Sequence, residues 1–150
     1  MVQSLANVLI HLVFSTKGRV GLIRPEIRDD LWRYLAAICN AQGCPAHQAG
    51  GTDDHVHIAL SLSRTTSVSK LAEQVKKSSS KWIKTKGKPY AAFSWQAGYG
   101  AFSIGQSQLG AVKRYIDAQE EHHKRRSFKD EFLQLLRKYS VEFDERYIWD

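Results

Sequence analysis

The stretch GGTDDHVHIALSL, residues 50–62, decides the fold. Its last eight residues, HVHIALSL (55–62), alternate in polarity and so read as a strand. Gly, Thr and Asp at 50–54 supply turn chemistry between that strand and a shorter one over 44–50, which makes the pair a hairpin. Outward from the hairpin, each side begins with a helix. Upstream, residues 26–42 carry Ile27, Leu31, Tyr34, Leu35 and Ile38 at helical spacing, and Gly43 is a plausible stop. Downstream, residues 67–84 turn Val68, Leu71, Val75, Ser79 and Trp82 inward and lysines outward. Beyond each helix lies another strand pattern. VLIHLVFS (8–15) is a nearly continuous apolar run, and FSWQAGYGAFSI (93–104) is aromatic and glycine-rich, which suits one or two short strands with a bend. The order β-α-β-β-α-β predicts an α+β, ferredoxin-like sheet with two helices on one face. Two more helices are expected over 108–122 and 128–139. The second face is left for them, for nucleic acid or for a partner subunit. Phe143, Tyr147 and Trp149 in the tail are expected to pack on that body.

A chain of 150 residues suits one domain, taken as 1–150, large enough to fold without staples. No apolar run approaches the ~20 residues of a membrane span. The run 8–14 is broken by His11 and lacks a cleavage pattern, so it is not read as a secretory signal. Cys39 and Cys44 lack zinc-site spacing and give no disulfide framework. A cytoplasmic protein with reduced thiols is expected. The net charge of +7 points to a polyanionic partner. The basic residues are clustered rather than scattered. One group includes Lys76, Lys77, Lys81 and Lys84. Another is Lys113, Arg114, Lys124, Arg125 and Arg126. Lys76, Lys77, Lys81, Lys84 and Arg114 are the candidate DNA contacts.

Two pairs of residues carry chemistry. His55 and His57, two apart on a strand, point to one face about 7 Å apart, from where both imidazoles can converge on one ion. Asp53 and Asp54 beside them fit either an orienting role or plain turn formation. Tyr115 and Gln119 are four apart and share one helix face. Two imidazoles and an amide oxygen form a neutral ligand set that suits Mg²⁺ or Mn²⁺ and leaves the ion's charge free to polarise a phosphodiester. A tyrosine beside it can attack phosphorus and form a covalent ester. Tyr99 is the alternative nucleophile, better suited to packing or base stacking. Glu120 and Glu121 are less well directed than Gln119, His122 and His123 read as a polar helix end, and His11 reads as a core histidine. Without chemistry, the same sheet and charge describe a ferredoxin-like nucleic-acid-binding module.

DHVH (54–57), WQAGYGAFSI (95–104), YIDAQEEHH (115–123) and the opening stretch with His11, Phe14, Ser15, Thr16, Lys17 and Arg19 resemble the single-tyrosine HUH transposases of the insertion sequence 200/605 family. The resemblance runs nearly end to end. It implies a ferredoxin-like fold, an obligate homodimer and a divalent metal. It also implies His55, His57 and Gln119 as metal ligands and Tyr115 as nucleophile. The implied activity is cleavage and rejoining of single-stranded, hairpin-bearing element ends through a 5′-phosphotyrosine. Domesticated relatives act on repetitive palindromes instead. The resemblance further implies that the helix carrying Tyr115 crosses to a partner chain, an exchange that glycines 98, 100 and 105 would permit.

Overall fold

The structure is a computed structural model and describes residues 2–149. Its elements are β1 (Leu9–Ser15), α1 (Pro25–Ala41), β2 (Ala46–Gly51), β3 (His55–Ser61), α2 (Val68–Lys84), β4 (Gly100–Ile104), α3 (Leu109–Asp117), α4 (Gln119–His122) and α5 (Phe128–Lys138). The four strands form one antiparallel sheet in the order β2-β3-β1-β4. This is the expected α+β arrangement of split β-α-β units.

Local chemistry sets the boundaries. Pro25 opens α1, where its fixed φ is already helical and its missing N–H costs nothing. Gly43, at φ +72, closes that helix in the left-handed region. Ser67 caps α2 by accepting from the Lys70 backbone N–H. Ser127 does the same for α5 through Asp130.

Both faces of the sheet are covered, which explains why β1 reads as unbroken hydrophobicity. Ile10, Leu12 and Phe14 point to one face and pack with Val56, Ile58 and Leu60 under α1 and α2. On the other face lie two smaller clusters. Leu9, Ala59 and Ile104 meet Ile116 of α3, and Val13 and Phe102 meet Phe128, Phe132 and Leu136 of α5. Phe143, Ile148 and Trp149 of the tail pack onto the α5 cluster. The face that the sequence leaves open is therefore taken by the added helices. Two glycines allow the close approach. A Cβ on Gly50 would meet the Ile116 carbonyl oxygen at 2.9 Å, and one on Gly100 would meet the Phe132 ring at 2.6 Å.

Two expectations change in detail. Of residues 93–104 only Gly100–Ile104 is a strand. Before it, Phe93 and Trp95 fill the core against Phe14, with one isolated bridge between Thr16 and Trp95. The helix expected over 108–122 is interrupted at Ala118, which ends α3 and precedes α4. No helix among the described residues is long and apolar enough to cross a membrane.

Candidate metal and nucleophile site

The strand register explains the site. Across β1 and β3, Val13 pairs with His57 and Ser15 with His55, so both histidines stand on the face covered by α3 and α5. Both are fully buried. Their Nδ1 atoms are tied from behind. His55 Nδ1 lies 2.7 Å from Asp54 Oδ1 and 3.0 Å from Thr52 Oγ1. His57 Nδ1 lies 2.7 Å from His11 Nε2. Anchored at Nδ1, each imidazole presents Nε2 to the same place, the arrangement that metal-ligating histidines use. Asp54 therefore plays the orienting role, while Asp53 stays at the exposed turn.

Facing the imidazoles is a residue that sequence reasoning missed, Glu131 of α5. Its Oε1 lies 3.1 Å from His57 Nε2, 3.6 Å from His55 Nε2 and 3.1 Å from His123 Nε2. The ligand atoms of His55, His57 and Glu131 all fall within 4.8 Å of one another. A signal was present in the sequence. Glu131 sits in the apolar stripe of α5, beside Phe128, Phe132 and Leu136. A carboxylate is rarely buried there without a partner.

Gln119 completes the group. It is buried, with Oε1 2.8 Å from His55 Nε2, and its amide N–H donates to Glu131 Oε2 at 3.1 Å. When neutral His55 donates Nδ1–H to Asp54, its Nε2 offers a lone pair toward the Gln119 and Glu131 oxygens. His55 Nε2, Gln119 Oε1 and Glu131 Oε1 then converge on one place, an arrangement that a cation suits. The donor set thus fits a divalent ion. It adds a carboxylate to the neutral set of His55, His57 and Gln119 read from the sequence.

Tyr115 projects from α3 into the same group. Its hydroxyl donates to Glu131 Oε2, and its ring stands edge-on to His57 with centroids 5.8 Å apart. Burial, then the neighbouring Glu131 charge and hydrogen bond, push the phenol well above its ordinary value, so it is protonated at rest. Burial alone would raise the Glu131 carboxyl. The hydrogen bonds from His123 and His57 outweigh it and hold the group ionised. Burial pushes His57 down to about 4 and His11 down to about 3, with the histidines repelling one another's charge, so both rings are neutral at neutral pH.

The structure gathers His55, His57, Gln119 and Tyr115 in one chain. The tyrosine expected to reach a partner instead lies beside its own histidines. α3 is held on its own sheet through Ile116, and among the described residues only Gly18, Gly43 and Gly87 have glycine's positive φ. Gly98, Gly100 and Gly105 therefore give no left-handed hinge. Two histidines read as incidental, His11 and His123, belong to the site. Glu120 and Glu121 point elsewhere, into ion pairs with Arg28 and Lys124. Of the candidate DNA contacts, Arg114 is exposed on α3 next to Tyr115. Lys76, Lys77, Lys81 and Lys84 lie on α2, across the sheet from the site, and Lys76 donates to the Gln96 carbonyl at 2.9 Å. A cavity of about 640 Å³ opens onto Tyr115 and Glu131 between α3 and α5.

The split β-α-β sheet carries paired histidines, a buried acid and an adjoining tyrosine, and comparison with known proteins places the chain among DNA-processing enzymes. The family described as "Transposase IS200 like" matches residues 4–119. The chain belongs to that transposase family. Solved structures agree on the fold. A protein of Deinococcus radiodurans R1 assigned as a transposase is 19% identical, with a TM-score of 0.61 over 79% of this chain and 98% of that one. A REP-associated tyrosine transposase bound to a REP hairpin is 14% identical, with a TM-score of 0.56 over 82% of this chain and 74% of that one. No curated protein sequence matches the chain.

Proposed function

We propose that this transposase cuts and rejoins single-stranded DNA at the ends of an insertion element, with Tyr115 as nucleophile and a divalent ion, Mg²⁺ or Mn²⁺, as cofactor. One observation carries the reading: the Tyr115 hydroxyl and the His57 imidazole bind opposite oxygens of the same buried carboxylate, Glu131. The nucleophile is thereby one side chain away from the metal ligands. His55, His57 and Glu131 would hold the ion, with Gln119 beside them. When bound, the ion supplies Lewis-acid polarisation of a phosphoryl oxygen.

The rest falls to the chain. Attack by the Tyr115 oxygen forms the tyrosyl O–P bond and breaks the bond from phosphorus to the 3′ oxygen. The phenol gives up one proton and the departing 3′ oxygen takes up one, leaving a free 3′-hydroxyl and a 5′-phosphotyrosine. A second 3′-hydroxyl reverses these steps on another strand, so rejoining needs no nucleotide cofactor. Asp54, Thr52 and His11 orient the imidazoles throughout. The net charge of +7 supports a nucleic-acid substrate. The solved relative in complex with a hairpin makes a hairpin-bearing strand the first substrate to try. The same complex favours a second reading, in which the chain processes repetitive palindromes rather than element ends.

The test uses labelled single-stranded hairpins from the flanks of the chain's own gene. Wild type should form a denaturation-resistant adduct. Tyr115→Phe removes one oxygen and keeps the ring, so it should bind DNA, stay folded and form none. A wild-type level of adduct from this variant would refute the assignment and turn attention to Tyr99.

A further inference from the structure

We propose that Arg126, at the mouth of the cavity between α3 and α5, binds the scissile phosphate and stabilises its charge during attack by Tyr115. This rests on the function proposed above. Arg126 lies in the turn between α4 and α5, and its side chain is 32% exposed. Its Nη2 donates to the Tyr115 hydroxyl at 3.4 Å, and its Nη1 donates to Gln134. Glu131 pairs with it only at long range. That carboxylate is 3.8 Å away, beyond hydrogen-bond reach, and is already served by His57, His123, Gln119 and Tyr115.

Geometry does the rest. A phosphorus poised for attack lies about 3–3.5 Å from the nucleophilic oxygen. Glu131 blocks the inner side of the Tyr115 hydroxyl, so the phosphate must come from the cavity, the side where the guanidinium lies. Its non-bridging oxygens then fall within reach of a group already 3.4 Å from that hydroxyl. A guanidinium suits the task because its planar donors match phosphoryl oxygens and its charge persists at any working pH. The cavity, about 640 Å³, falls in the range of small-ligand pockets, roughly 300–1,000 Å³. Lys138 and Gln108 on its wall can meet the neighbouring backbone phosphates. The lysines of α2, across the sheet, cannot serve this step.

The experiment compares Arg126→Ala and Arg126→Lys with wild type on the same hairpin strand, with either a normal phosphodiester or a methylphosphonate at the scissile position. Removing one charge-stabilising donor from a transition state costs about 10²–10³-fold in kcat. Arg126→Ala should show that loss on the phosphodiester with DNA affinity nearly unchanged, and Arg126→Lys should fall between. On the methylphosphonate, where one charged oxygen is replaced by methyl, the gap between Arg126→Ala and wild type should shrink at least tenfold. An unchanged gap, or a loss confined to DNA affinity, overturns the proposal. These results are separate from the Tyr115→Phe test. Adduct formation by Tyr115→Phe would sink the function itself, whereas an equal gap on both substrates removes Arg126 alone.

Discussion

At the scale of single residues, the site turns on Glu131. It joins the imidazoles to the Tyr115 hydroxyl, and its burial is tolerable only because donors surround it. Glu131→Gln keeps the shape and removes the charge, so it should weaken metal binding more than Gln119→Ala, whose place water can fill. Ion binding to the folded state alone stabilises by about 2.7 kcal/mol at a hundred times Kd. In a domain of this size that is a rise in Tm of about 5–11 °C. Thermal melts with added Mn²⁺ should show this rise in wild type and Gln119→Ala, and little in Glu131→Gln or His57→Ala. A wild-type rise in Glu131→Gln would remove Glu131 from the ligand set. Cleavage should stop in excess chelator and return with Mn²⁺ or Mg²⁺. Of these residues the sequence names His55, His57, Tyr115 and Gln119, because each pair has a spacing that fixes a shared face. Glu131 has no such pair. Its partners lie 74 positions away at His57 and 16 away at Tyr115, a proximity that only the packing of α5 creates.

At the scale of elements, periodicity was enough for the sheet and its first two helices. The strand alternation of β3 and the apolar faces of α1 and α2 belong to single segments. The docking of α3 and α5 was not legible, because it depends on the absence of side chains at two glycines on other elements. The break at Ala118 was hidden too, since Ala and Gln are both good helix formers. Gly50 is where this can be tested. A methyl there would press on the Ile116 backbone and lift α3, with Tyr115, away from β2. Gly50→Ala should cost about 1–3 kcal/mol of stability, as overpacking does. The rate of adduct formation should fall further than DNA affinity. A variant as stable and as active as wild type would mean that α3 is not held by this contact.

At the scale of the whole molecule, one chain carries every residue of the group. If a homodimer forms, each protomer should work with its own tyrosine. Co-expressing Tyr115→Phe with the double variant His55→Ala, His57→Ala should give a mixed dimer that does not cleave, since both of its sites are broken. Recovered cleavage by the purified mixed dimer would show that the helix crosses between chains, as the family resemblance implies. The position of Glu131 in the chain has another consequence, one of time. Ribosomes add about 5–20 residues per second. The 74 residues that separate His57 from Glu131 then take about 4–15 s to synthesise. During that interval the nascent polypeptide holds His55 and His57 without the carboxylate that faces them in the folded chain.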